Sequence, residues 1–384
     1  MISVAHIITG LDVGGAERAL CHVAGGLRER GLQQLVVSLQ PRGPMAAEVE
    51  RAGVRVHDVG MHPQAPLRSG GPGLARLVSL LRRARPDVVQ TWMYHADLLG
   101  GLAARAAGTD AVAWNVRHAD LPLEGYGRRT AVLARLGVAA SRFVPRVIVT
   151  NSAAASKAHV ARGYPSDRLR LVPNGAATPD GVRTREAARM ALDLPPDALV
   201  VGRVGRFHEQ KDVPTLLAAT RTVTEHVPRT RLALIGAGMT WDNALLASWV
   251  RDLGLEGVVH LCGPRADAGT LPPAFDLAVS SSAYGETCPN AILEAMAAGV
   301  PVATTDVGDS ARIVGDTGMV VPPRAPDALA AAMVRMLAQP PDERARLGAA
   351  ARSRVATRFS LSAMIDGYEA VYRELATRPH GRRS

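Results

Sequence analysis

The sequence predicts an α/β protein made of two parallel-sheet domains, and three observations carry that expectation. Short apolar runs alternate with amphipathic helical periods along almost the whole chain. Such alternation builds parallel strands covered by helices on both faces. The 384 residues suffice for two or three domains, each with its own core. Midway, residues 174 to 186 are rich in Gly, Pro and Thr and read as a hinge. The expected domains are residues 1–178 and 179–360, with a final helix and basic tail over 361–384.

In order, Val4 to Thr9 reads as a buried strand, followed by a glycine pair, Gly14 and Gly15, at a helix start. That pair serves either a tight turn or close backbone approach to a ligand; it is not the dinucleotide pattern GxGxxG. Strands follow at Leu35 to Leu39, Val54 to Val59, Val88 to Thr91, Ala111 to Val116 and Val147 to Thr150. Helices are expected from Gly73, Asp97, Arg128 and Ser152. Ligands of parallel sheets bind beyond the carboxyl ends of the strands. Two such ends hold His and Asp at the expected rim: His95 with Asp97, and His118 with Asp120. As metal ligands these lack a third and fourth partner, so no metal site is expected.

The second half opens with a strand over Ala198 to Val204 and then GRFHEQKD. Lys211 stands out because Lys157 is the only other lysine among 45 basic residues. A compact ammonium suits a phosphate as a point charge, and Arg206 suits a bidentate grip; a solvated loop pair is the plain alternative. Strands at Leu232 to Ile235 and Val258 to Leu261 lead to GAGM and to Cys262-Gly263-Pro264-Arg265. The stretch that organises the rest is SSSAYGETCPNAILEAMAAGV, residues 280 to 300, after a strand over Ala274 to Ser280. Pro289 reads as the first residue of a helix. The backbone N–H groups at that helix start, near Asn290 and Ala291, form an anion site. Glu286 precedes it and Glu294 lies within it, on the order of 10 Å apart along a regular helix. A strand over Val302 to Thr304 and helices from Pro326, Asp342 and Leu361 complete the chain.

Composition narrows the classes. Hydrophobic residues make up 47% and aromatics 4%, an ordinary globular balance. No uninterrupted apolar run approaches a membrane span, and Met1 leads straight into a strand-like run, so a cytoplasmic protein is expected. Cys21, Cys262 and Cys288 are far apart and form no CxxC pair, which reads as reduced thiols. Residues 1 to 180 carry 22 Arg or Lys against 13 Asp or Glu, whereas 181 to 384 are nearly balanced at 23 against 22. No nucleic-acid motif accompanies that basic half. An anionic surface, such as the inner face of the plasma membrane, or a phosphate-bearing acceptor is the expected partner; a generally Arg-rich proteome is the plain alternative. Arg76, Arg82, Arg83 and Arg85 are expected on one helix of this half, with Arg128, Arg129, Arg135, Arg142 and Arg146 in another region.

The Glu286 to Glu294 spacing and the run PNAILEAMAAGVPV resemble the E-x7-E signature of the retaining glycosyltransferases of family 4. The match G-R-F-x-x-x-K and the Gly14-Gly15 loop extend the resemblance over nearly the whole chain. It implies the GT-B fold: two Rossmann-like domains facing a central cleft, with the C-terminal helix returning to the first domain. It implies catalytic roles for His118, Arg206, Lys211 and Glu286. It places the donor at Gly14, Gly15, Arg265, Cys288, Asn290, Ala291 and Glu294. Cys288 stands where a large apolar residue is more usual. His95 and Asp97 become acceptor-binding candidates. A UDP-sugar or another nucleotide-diphosphate sugar is then the donor. The acceptor is a polysaccharide, lipid-linked glycan or natural product, and no metal or other cofactor is needed. TWMYHADLLGGLAARAAG and TTDVGDSARIVG resemble enzymes of bacterial surface-polysaccharide assembly. The alternatives are a sugar-nucleotide-binding protein without transfer and a Rossmann oxidoreductase.

Overall fold

The computed structural model describes residues 1–62, 66–118, 135–177 and 183–377. The chain divides into two compact units, Met1–Asn174 with Ser362–Ser384, and Gly175–Leu361. Asp120, Arg128, Arg129, the start of the helix expected from Arg128, part of the hinge and the tail from Arg378 lie outside the described residues, while residues 135–140 are helical.

The first unit holds β1 (Ser3–Ile8), β2 (Gln33–Ser38), β3 (Arg55–Asp58), β4 (Val88–Trp92), β5 (Val112–Val116), β6 (Val147–Thr150) and β7 (Leu169–Leu171). They form one sheet in the order β3-β2-β1-β4-β5-β6-β7. Every pairing is parallel; β1 sits between β2 and β4, with Ser3 opposite Gln33 and Val4 opposite Val88. All of β4 and β5 is buried, the mark of strands covered on both faces. Ile7, Val37, Leu77, Val89, Trp114 and Ile148 share the core on one side. The last helix, Leu361–Thr377, buries Tyr368 and Tyr372. Tyr368 stacks on Trp92 with ring centroids 5.6 Å apart, and Tyr372 meets His6 at 6.0 Å.

The second unit holds β8 (Leu199–Val204), β9 (Thr230–Ile235), β10 (Val259–Gly263), β11 (Leu277–Ser280), β12 (Val302–Thr305) and β13 (Gly318–Val321), ordered β10-β9-β8-β11-β12-β13 and again all parallel. Its two core layers form around Ile292, Leu293 and Met296 and around Val201, Leu216 and Met333. Gly202 is required in β8, since a Cβ there would lie 2.2 Å from the Phe275 ring. Strand order reverses between β1 and β4 and between β8 and β11, so each unit has a switch point where a ligand crevice is expected.

Local differences from the expectation have local causes. The helix expected from Gly73 spans Pro66–Ala84 and carries Pro72 inside. It ends before Arg85, which adopts φ +44° and therefore leaves the helix. The helix expected from Asp97 begins at Tyr94. The β11 strand starts at Leu277 because Pro272–Ala274 form a 3-10 turn. The short strands β7 and β13 were not anticipated.

Candidate active site

In the second unit the loop after β8 and the loop after β11 meet at the switch point. Their meeting is specified by hydrogen bonds. Ser281 Oγ donates to the Lys211 carbonyl at 2.8 Å, and the Ala283 N–H donates to the Gln210 carbonyl at 2.8 Å. Tyr284 donates its hydroxyl proton to Glu209 at 2.6 Å. From the other side, Thr305 Oγ1 donates to the Ser282 carbonyl at 2.6 Å. Gly308 adopts φ +64°, and a Cβ there would lie 2.3 Å from the Glu286 carbonyl oxygen, so only glycine lets this loop approach.

That framework brings Lys211 and Glu286 together. The Lys211 ammonium donates to Glu286 Oε1, and Ser282 Oγ donates to the same oxygen at 2.7 Å. The side chains are 21% and 11% exposed, so the pair is partly shielded from solvent, and attraction within it is stronger than at a surface. A residue that sequence reasoning passed over stands behind it. Arg203, at the end of β8, is 3% exposed and donates to the Lys211 carbonyl at 3.2 Å and to the Gly205 carbonyl at 3.5 Å. Burial lowers its pKa to about 10, opposed by Glu286 and Asp212; it remains a cation at neutral pH. The signal was present as one charge inside the apolar run LVVGRV, where a buried arginine needs a reason.

The other predicted residues of this unit fall into place unevenly. Arg206 is exposed and, among the described residues, in no ion pair. The helix Asn290–Ala297 takes Pro289 as its cap, with Asn290 as first residue, one position later than expected. Asn290, Ala291 and Glu294 are half-buried on it, while Ile292, Leu293, Ala295, Met296 and Ala297 turn inward. Cys288 does not lie open on a pocket wall. It is 4% exposed and packs into the core with this helix. Arg265 is engaged by its own turn, with Nε and Nη2 both donating to Asp267 at 2.9 Å. The same guanidinium holds the Asp267 carboxyl down at about 2.

In the first unit, Gly14 caps the helix Gly15–Glu29 in an extended conformation. A Cβ on Gly14 would lie 2.3 Å from Glu17 Oε2, so the glycine lets the Glu17 carboxyl fold back over the loop. Partial burial raises the Glu17 pKa, and Arg117 opposes that rise. Arg117 is buried, lies 5.6 Å over the Trp92 ring and donates to Asn174 Oδ1 at 2.5 Å. His118, the next residue, is exposed and stacks on Tyr94 at 5.9 Å. His95 is exposed on the first turn of the helix after β4. Asp97 departs from the expectation of a rim residue. It is 2% exposed, and its Oδ1 accepts from Thr91 Oγ1 at 2.5 Å and from the Asn115 N–H at 3.2 Å. Because the helix starts at Tyr94, position 97 faces the sheet, and Asp97 braces β4 against β5.

Among the described residues, no group of three His, Cys, Asp or Glu side chains is placed to hold a metal ion. Among the same residues, no helix is long and apolar enough to cross a membrane.

Comparison with known proteins agrees with this fold. The family model for Glycosyltransferase Family 4 matches residues 13–178, and that for Glycosyl transferases group 1 matches residues 198–339. The lipopolysaccharide core biosynthesis glycosyltransferase LpsE of Rhizobium meliloti is 28% identical over 96% of this chain and 98% of its own length. A D-inositol 3-phosphate glycosyltransferase of Saccharomonospora viridis is 27% identical over 94% of this chain and 90% of its own. Among solved structures, Anabaena Alr3699/HepE in complex with UDP-glucose superposes with a TM-score of 0.82 at 21% identity, covering 98% of each chain. WaaG, a glycosyltransferase involved in lipopolysaccharide biosynthesis, gives 0.75 at 17% identity, covering 98% of this chain and 100% of its own. The chain is therefore a glycosyltransferase with the GT-B fold, matching family 4 in its first half and group 1 in its second, and it resembles the enzymes of bacterial surface-polysaccharide assembly.

Proposed function

We propose that the chain moves a hexosyl group from a UDP-sugar to a hydroxyl of a glycan or lipid-linked acceptor in surface-polysaccharide assembly, with retention at the anomeric carbon. The observation that carries this reading is the shielded Lys211–Glu286 pair at the β8/β11 switch point, beside a helix start. The UDP-glucose bound to the Anabaena neighbour and the lipopolysaccharide role in the Rhizobium relative's name support the choice of donor and pathway class.

In this mechanism the bond from the anomeric carbon to the β-phosphate oxygen breaks, and negative charge grows on the diphosphate. Lys211, Arg206 and the N–H groups at Asn290 and Ala291 meet that charge with groups already in place. The acceptor oxygen bonds to the same face of the anomeric carbon, and its proton passes to the departing phosphate oxygen. Glu286, fixed by Ser282, holds hydroxyls of the transferred sugar; Glu294 holds the ribose hydroxyls. His118, in the first unit, is assigned to the transferred sugar. The protein's own cations do the work of charge stabilisation, and the reaction proceeds without a metal.

Nucleotide release from UDP-, GDP- and ADP-hexoses tests the reading. Lys211→Ala should raise the barrier by roughly 2–4 kcal/mol, the loss typical of one preorganised charge donor. Lys211→Arg should not restore full rate, because a planar fork fits a point-charge site poorly. EDTA should leave the wild type unchanged. Release from none of the donors, full activity in Lys211→Ala, or complete loss with EDTA each refutes the mechanism.

A further inference from the structure

Four aromatic rings of the first unit form a ladder that ends at His118. Its inner end is Tyr164, 3% exposed, against which His159 packs edge-on with centroids 4.9 Å apart. His159 is fully buried. Its Nδ1 lies 2.7 Å from the Ala155 carbonyl oxygen. A carbonyl only accepts, so Nδ1 carries the proton and leaves Nε2 of the neutral ring as an acceptor. Tyr94 Oη lies 2.9 Å from that Nε2 and donates to it. The Tyr94 ring is stacked on His159 on one hand, 6.0 Å and 23° between planes, and on His118 on the other, 5.9 Å and 22°. The outer end, His118, is exposed.

The backbone secures the middle rung. Tyr94 follows Met93, which adopts φ +72° and ψ 158°, a conformation that side chains other than glycine avoid. The turn holds because the Met93 N–H donates to the Asn115 carbonyl at 3.1 Å and the Met93 carbonyl accepts from the Asp97 N–H at 2.8 Å. Strain of this kind persists only where surrounding contacts over-determine it, and it concentrates at functional sites. Here its effect is to set the direction of Tyr94.

We infer that Tyr94, held by His159, is a positioning residue that fixes the ring plane of His118. The inference rests on the assignment of His118 to the transferred sugar. A stacked neighbour restricts rotation of an exposed imidazole through the face of its ring. The hydroxyl bond to His159 in turn prevents Tyr94 from sliding along the stack.

Two measurements on the full chain test this. The first needs no donor: the imidazole resonances of His118, identified by their absence in His118→Asn, should shift in Tyr94→Ala as the ring current is lost. They should shift less in Tyr94→Phe, which keeps the stack. Unshifted resonances in Tyr94→Ala overturn the inference, whatever reaction the protein performs. The second is nucleotide release from the active donor of the hexose panel. Tyr94→Ala should lower kcat about tenfold or more with little change in donor KM, and Tyr94→Phe should retain an intermediate rate. In a His118→Ala background, Tyr94→Ala should cost less than about twofold, because contacts acting through one residue are not additive. Additive losses overturn the inference. A His118→Ala variant with full kcat instead overturns the role given to His118, a separate failure that the resonance shifts distinguish. Thermal unfolding of each variant checks that the fold is kept.

Discussion

Asp97 makes the stability of the first unit fall as pH rises through neutrality. Its carboxyl is wholly buried, and burial raises its pKa from 3.8 to about 8 against the opposing bonds from Thr91 and Asn115. A folded pKa above the unfolded one means that the native state holds a proton the unfolded chain has released. The stability linked to that proton is complete below the unfolded pKa and is lost as pH rises to the folded one. His6 acts in the opposite sense, burial lowering its pKa from 6.5 to about 4. Its contribution, like those of His22 and His95, whose pKa burial also lowers, is lost as pH falls below 6.5, so between pH 4 and 6.5 these slopes oppose that of Asp97. Above 6.5 Asp97 supplies the main slope. One proton at about 1.4 kcal/mol per unit, over roughly 1.5 units up to pH 8, gives ~2 kcal/mol. Urea unfolding can read this if Trp241 and Trp249 are replaced by Phe, leaving the buried Trp92 and Trp114 as reporters of the first unit. The expected result is a loss of ~2 kcal/mol between pH 6.5 and 8 that disappears in Asp97→Asn. An equal slope in Asp97→Asn, or greater stability at pH 8, refutes the reasoning.

Three further outcomes are expected. Glu286→Gln should lower kcat by roughly 10²-fold, because it removes a sugar contact and leaves Lys211 unpaired, whereas Glu294→Ala should mainly raise the donor KM; equal and trivial effects in steady-state kinetics would show that neither carboxylate touches the donor. Cys288, being buried in the core, should resist iodoacetamide in the folded chain while the half-buried Cys21 and Cys262 label first. Mass spectrometry showing prompt labelling of Cys288 that UDP blocks would place it in the donor pocket after all. The full chain should bind anionic vesicles in low salt through the exposed Arg76, Arg82 and Arg83, each worth about 1 kcal/mol near the surface. Sedimentation that is unchanged by replacing all three with Gln would disprove that route.

The fold was legible because burial on both faces writes parallel strands as unbroken apolar runs. Val88–Trp92 and Val112–Val116 are wholly buried, and nothing in their sequences competes with that reading. The strand β13, Gly318–Val321, was not legible: three of its four residues are only partly buried, and its position is fixed by pairing with β12. Gly70, Gly71 and Pro72 read as helix breakers, yet they lie inside Pro66–Ala84, and local propensity does not account for it. At the site, Lys211 and Glu286 were found separately, one by its rarity and one by its spacing, and only the structure shows them paired. Asp97 was misplaced at the rim because a start three residues earlier turns a helix through most of one revolution. Arg203 was missed because hydrophobic neighbours mask a lone charge in a strand.

The sheet of the first unit is encoded by residues up to Asn174, but its covering helix comes from the last stretch of the chain. Tyr368 and Tyr372, both fully buried, shield Trp92 and His6, and Asn115 Nδ2 donates to the Tyr368 hydroxyl at 2.7 Å. During synthesis, therefore, the unit begun first is finished last. The second unit is contiguous, from Gly175 to Leu361, and can close as soon as it emerges, while the earlier sheet waits with those aromatic rings bare. Domains usually complete in the order they are made; here that order is inverted.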